Sequence, residues 1–399
     1  MDRTGQRAMF RVGAGGPEFV VKGVNFVRLR RGDHSTFEAV PLESKAPEAP
    51  NGDCYDPQKA EAMLAFVQSV RLNTVRVFII GRSAANPGIA GPEGTTTALY
   101  EPYMANVLDF LERAEKHGIY VLPTFGDGEL PRNEYFRKRL GGGGNRIYLT
   151  SEGIAAKREY VREFLQFIQS RRPELMATLL GVQMQNELHL DGKSWPFDAV
   201  NGTVTSANGK TYDLSNARQR QALMDEGIVY YLDAMTDAVH KIDPKLLVCE
   251  GIFTMRAVGK NPDTDLGPGP EFAGDRRWPP TLETLSRSKL DFLDVHFYRT
   301  RTNESVADAF ARDMETVRFV GATAAAILKD KPVILGEFGA FQFAESSWTA
   351  AQENLLSIRD EAMYRGMSGW LLWTYDTFEQ TELMPGMTDG GELLRRLGN

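Results

Sequence analysis

Residues 178–190, TLLGVQMQNELHL, run as an apolar strand and end in Asn186-Glu187. Residues 331–341, KPVILGEFGAF, repeat the plan, with Glu337 at the strand's exit. An ionised carboxylate just past an apolar strand costs free energy unless something uses it. Two carboxylates held on opposite sides of one site can divide a reaction between them. One protonates a leaving oxygen, and the other attacks carbon or activates water, which is the chemistry of glycoside hydrolysis. Taken singly, either glutamate reads as an exposed strand-end carboxylate; the pair of placements favours catalysis.

Such a pair needs elements that bring positions 187 and 337 together. Short apolar runs alternate with amphipathic helical patterns along the whole chain. The strands are expected at 19–27, 73–80, 119–126, within 178–190, and at 246–253, 291–298, 332–339 and 369–376. Asp56-Pro57 reads as an N-cap and first helical position. Behind it, Ala60, Met63, Leu64 and Val67 share one helical face. A helix is expected over roughly 304–329, and only the fifth unit lacks a long one; residues 281–288 offer a short substitute. Eight strands alternating with about eight helices predict the α/β class. The closed form, a (β/α)8 TIM barrel with long loops on the catalytic face, fits eight repeats better than an open sheet. The expectation is one catalytic domain over residues 1–399.

In that fold the active residues sit at the C-terminal ends of strands. Arg76, Asn186, Glu187, His296, Tyr298, Glu337, Trp373 and Asp376 gather there. The long loops at about 28–55, 127–150, 188–215 and 254–280 lie on the same face. Trp195, Trp278 and Trp348, at loops or loop edges, are candidate walls for a sugar site. His189 either helps the acid or lines the loop. The glycine run at 141–144 lacks the Lys-Ser/Thr ending of a phosphate loop.

Composition narrows the classes. The chain has 399 residues, 42% hydrophobic and 25% charged, with a net charge of −7, so nucleic-acid binding gains little support. None of the five histidines falls in a ligand motif, and the expectation is no metal and no cofactor. No apolar run reaches spanning length, which argues against a membrane. Cys249 reads as a core thiol and Cys54 as a loop residue. The N-terminus has no apolar segment of signal type, so a cytoplasmic protein or a processed secreted one is expected.

In matching order, these residues resemble glycoside hydrolase clan A, and within it family 5, the cellulase and β-mannanase group. The resemblance rests on Gly23-Val24-Asn25, Arg76, Asn186-Glu187, His296 with Tyr298, Glu337 within GEFG, and Trp373. The chain departs from many members on the third strand, where Pro123-Thr124-Phe125 stands in place of a histidine. The resemblance implies a retaining enzyme. Glu187 would be the acid and then the base, with its proton affinity raised. Glu337 would be the nucleophile, kept ionised by Arg76 and Tyr298. Asn186 would hold a sugar 2-hydroxyl, and Trp373 would form a stacking floor. The expected substrate is a carbohydrate, as oligosaccharides or chain ends. The alternatives are internal cutting of mannan or glucan, and a non-catalytic sugar-binding barrel.

Overall fold

The computed structural model describes residues 1–13, 15–27, 36–39, 55–81, 87–126, 130–139, 142–260, 275–375 and 391–399. Cys54, Asp376, Gly141 and most of the loop after the first barrel strand lie outside the described residues.

Apolar runs that are buried on both faces favour parallel pairing under helices. Eight such runs form the sheet: β1 (Val21–Phe26), β2 (Thr74–Ile79), β3 (Tyr120–Phe125), β4 (Val182–Gln183), β5 (Val248–Phe253), β6 (Phe292–Tyr298), β7 (Val333–Gly339) and β8 (Gly369–Leu372). They pair in parallel around a closed barrel, with β8 joining β1 and β4 joining β5. The sequence expectation of a (β/α)8 TIM barrel is therefore met. The fourth strand is shorter than its apolar run, because regular pairing stops at Gln183 and the chain turns toward Glu187.

The main helices outside are α1 (Pro57–Ser69), α2 (Glu101–Lys116), α3 (Ser151–Arg171), α4 (Ala217–His240), α5 (Leu282–Ser286), α6 (Val306–Thr316), α7 (Gly321–Asp330), α8 (Trp348–Tyr364) and α9 (Glu392–Gly398). Asp56 caps α1 by accepting from the N–H groups of Gln58 and Lys59, and Ala60, Met63, Leu64 and Val67 form its buried stripe. The single helix expected over roughly 304–329 is two helices. Arg318 takes a φ of 60°, and the Val317 carbonyl accepts from Leu282 N–H at 3.0 Å, so a tertiary bond ends α6. The short fifth helix, α5, is present as expected.

Inside the barrel the side chains divide by height. Val21, Leu122, Leu180, Cys249, Phe292, Ile334 and Leu371 form an apolar lower layer. A short N-terminal hairpin brings Phe10 edge-on to Phe292, 5.1 Å between ring centres, and packs against that layer. Cys249 is a free, buried thiol. Above this floor the inward positions turn polar: Asn25, Arg76, Thr124, Gln183, Asp294 and Glu337 are all buried. Among the described residues no helix is long and apolar enough to cross a membrane.

The register between β6 and β7 slips by one residue. Val295 pairs with Leu335 but His296 pairs with Glu337, so Gly336 is the extra residue of a bulge. A Cβ at Gly336 would lie 2.0 Å from Asp294 Oδ1, so glycine alone leaves room for that carboxylate. The bulge thus sets Glu337 beside His296 and places Asp294 beneath them.

Candidate active site

Arg76 organises the upper layer. Its side chain is 0% exposed. Its Nη1 donates to Glu337 Oε1 at 2.7 Å and to Asn25 Oδ1 at 2.8 Å. Its Nε donates to Gln183 Oε1 at 2.7 Å and its Nη2 to Asn186 Oδ1 at 2.8 Å. A buried guanidinium cannot shed its charge, so it needs this set of acceptors. The register of β1 against β2 sets Asn25 next to Arg76, and Asn25 Nδ2 in turn donates to the Gly336 carbonyl at 2.9 Å. One arginine therefore ties β1, β4 and β7 to the loop that carries Glu187.

Glu337 is 4% exposed and also accepts from the Tyr298 hydroxyl at 2.8 Å. Glu187 is 25% exposed and stands where the chain leaves β4, with a φ of 51°. Left-handed backbone is strained for a residue with a Cβ, and such strain collects at functional positions. His189 Nδ1 meets the Glu187 carbonyl at 2.7 Å, so it supports the turn from behind. Asn186 spends its oxygen on Arg76, and its Nδ2 makes no hydrogen bond among the described residues.

His296 lies between the carboxylates. Its Nδ1 is 3.0 Å from Glu187 Oε1 and 3.4 Å from Glu337 Oε2, and its Nε2 is 3.4 Å from Asp294 Oδ2. Burial pulls its proton affinity down, but Glu337, Asp294 and Glu187 outweigh burial and push it up to about 10. The ring is therefore an imidazolium at neutral pH. Burial pushes Glu187 up, yet the His296 hydrogen bond and charge, with Arg277 and Arg76 further off, bring its net direction down. Burial also pushes Glu337 up; here His296, Arg76 and Tyr298 do not cancel it, and the charge on Glu187 adds to it. These directions run opposite to the sequence expectation for the free protein. Without substrate the acid candidate is held as a carboxylate, and the nucleophile candidate binds its proton more tightly than an ordinary glutamate.

One oxygen of each glutamate and one His296 nitrogen lie within 4.8 Å of one another, a spacing a cation could also use. The charge arrangement is poorly suited to that use. A histidine ligand must be neutral, whereas the carboxylates around this one favour its protonated form, and Arg76 already occupies Glu337 Oε1 at 2.7 Å.

The cavity above these groups has a volume of about 590 Å³. Trp373 lines one side, with Phe78 edge-on behind it at 5.6 Å. Phe253, Arg256 and Arg277, from the end of β5 and the segment after it, also line the cavity. Sequence reasoning missed those three, because Arg256 lies in a short 3-10 turn and Arg277 in a two-residue ribbon strand, both far in sequence from either glutamate. It missed Asp294 as well, hidden in an apolar strand. The other tryptophans need correction. Trp278 is 2% exposed and pairs with Leu190 in a two-stranded ribbon. Trp195 packs on the core under the Arg146 guanidinium, 4.2 Å from its centre, and Trp348 begins α8. None of the three lines this cavity.

The family model described as Cellulase (glycosyl hydrolase family 5) matches residues 35–378. Solved structures with a similar fold include an endo-1,4-β-D-mannanase from Thermotoga petrophila, with a TM-score of 0.58 and 15% identity over 95% of this chain and 99% of that one. Another is an endo-1,4-β-mannanase from Rhizomucor miehei, with a TM-score of 0.57 and 16% identity over 92% and 89%. An exo-β-1,4-mannosidase from an Opitutaceae bacterium has a TM-score of 0.54 and 15% identity over 96% of this chain. This chain spans 57% of the mannosidase chain. No curated protein matches the sequence.

Proposed function

Because the chain belongs to glycosyl hydrolase family 5, whose members are retaining glycoside hydrolases, we propose that Glu337 is its nucleophile and Glu187 its acid and base. The observation that carries this reading is the spacing of the two carboxylates, with one oxygen of each within 4.8 Å. Inverting enzymes hold their carboxyls about 6.5–9.5 Å apart to admit a water, and retaining ones about 5–5.5 Å.

In the first step a Glu337 oxygen bonds to the anomeric carbon as the bond to the leaving oxygen breaks, and Glu187 supplies that oxygen with a proton. His296 Nδ1 carries a proton 3.0 Å from Glu187 Oε1 and can load it before the step. Esterified Glu337 no longer repels charge, so Glu187 returns to the carboxylate form. As base it takes a proton from water, whose oxygen displaces Glu337 from the sugar. The Asn186 Nδ2 group meets the sugar 2-hydroxyl, and Trp373 supports the ring. The substrates are β-linked oligosaccharides or chain ends, and residues 1–399 act as one catalytic unit.

Carboxylate variants assayed on two leaving groups test the roles. Glu337→Ala is expected to abolish turnover of both. Glu187→Ala is expected to slow hydrolysis of an alkyl β-glycoside by about 10²–10⁴-fold while sparing bond cleavage in a dinitrophenyl one, whose leaving group needs no proton. Equal losses on the two would refute the acid assignment.

A further inference from the structure

The cavity's outer wall carries two arginines, Arg256 and Arg277, that the hydrolytic steps do not use. In the order of the barrel strands the cavity is lined by Trp373 after β8, Glu337 on β7, His296 on β6, the segment after β5, and Glu187 after β4. The acid marks where the leaving oxygen must lie, so whatever departs extends past Glu187 toward Phe253, Arg256 and Arg277.

Among the described residues two arginines line that end, Arg256 near Asp313 and Arg277 paired with Asp275. Arg256 Nε is 3.4 Å from Asp313 Oδ1, and among the described residues Arg256 donates no hydrogen bond. Asp313 is shared with Thr254 and Arg312, and burial pushes its carboxyl up, which weakens it as a counter-charge. Arg277 is held in place. Its Nε and Nη2 bond to Asp275 at 2.7–3.1 Å, and its guanidinium sits over the Phe253 ring at 4.9 Å. Among the described residues its Nη1 has no such partner. The Arg256 and Arg277 side chains are 29% and 42% exposed, so they are open to a ligand. A guanidinium that is already braced loses little freedom when it binds a carboxylate.

We propose that the leaving-group side of this cavity receives a carboxylate-bearing aglycone, such as a uronic acid residue, bound by Arg256 and Arg277. The inference rests on the glycosidase reading above and adds the chemical class of the departing group.

The test compares nitrophenyl β-mannoside and β-glucoside with the same glycosides carrying a carboxylate on the leaving ring. The wild-type protein is expected to show a kcat/KM about tenfold higher for the carboxylated form, the scale of one charge-assisted hydrogen bond. The preference should shrink with added salt, because both arginines are partly exposed. It should fall toward one in the Arg256→Gln/Arg277→Gln variant. If that variant does not fold, Arg256→Lys/Arg277→Lys keeps the charge, removes the fork and should lose part of the preference. No preference in the wild type, or one that survives the substitutions, would overturn the inference while leaving the glycosidase reading intact. Equal slowing of both forms would mean that the arginines act through Glu187, and the inference would fail. Turnover of neither form by the wild type would defeat the glycosidase reading and this inference together.

Discussion

At the scale of single residues, the proposed mechanism turns on one proton. His296 touches both catalytic candidates and sits above Asp294, so it holds charge for all three carboxylates. Two limbs of the pH profile follow. Glu337 must be ionised to attack, and its affinity is shifted up, so kcat/KM should rise with pH through a value above the ordinary 4.5. The acid step needs the proton held between His296 and Glu187. A raised affinity keeps that proton bound through neutral pH, and activity should fall only as pH climbs toward about 10. The variant His296→Asn has no such reservoir. Its alkaline limb is expected to move down toward the carboxylate range, with the acid limb moved less. A pH–rate series on both proteins decides; an unmoved alkaline limb would remove His296 from proton supply.

At the scale of elements, the bulge in β7 connects packing to chemistry. Gly336 faces the Asp294 carboxylate so closely that Gly336→Ala must displace it. Overpacking of this kind costs about 1–3 kcal/mol, measurable by denaturant titration. If Asp294 shifts, His296 loses one of its charge partners, so the alkaline limb should fall along with stability. Lost stability with an unchanged pH profile would mean that Asp294 is only packing. The sequence made the strand ends and helix stripes legible, because both are local patterns: Asn186-Glu187 and Glu337 closed apolar runs, and Ala60, Met63, Leu64 and Val67 kept helical spacing. Asp294 and Gln183 left no such signal, since inward polar positions of a closed barrel look like interruptions in an apolar run. Lys157 misleads in the same way. On a helix it suggests solvent, yet it is buried against the Phe125 and Tyr160 rings, and burial lowers its affinity to about 8. The ribbon that buries Trp278 and presents Arg277 depends on pairing Leu190–Asp191 with residues nearly ninety positions away, beyond any local pattern.

At the scale of the whole molecule, the question is where along a sugar chain the protein cuts. An internal cutter needs a cleft open on both sides of the carboxylates, so that a polymer can pass through. Here the ribbon of Leu190–Asp191 against Arg277–Trp278 borders the cavity through Arg277, on the side where the proposed mechanism puts the leaving group, and is anchored by the buried Trp278. It is fastened further by Asn145, which accepts from Asp191 N–H and donates to the Asp191 carbonyl, each at 2.8 Å. Anchored in this way, the ribbon forms a fixed wall rather than a loose flap. In the proposed reading a wall there would limit the departing group to a short one. The expected outcome with a defined β-linked oligosaccharide of the accepted sugar is one short product from one end, present from the first time point. End-labelled substrate followed by chromatography over the first few per cent of turnover makes the measurement. An early ladder of mid-length fragments would show that polymer passes the ribbon, and the short-substrate reading would then be wrong.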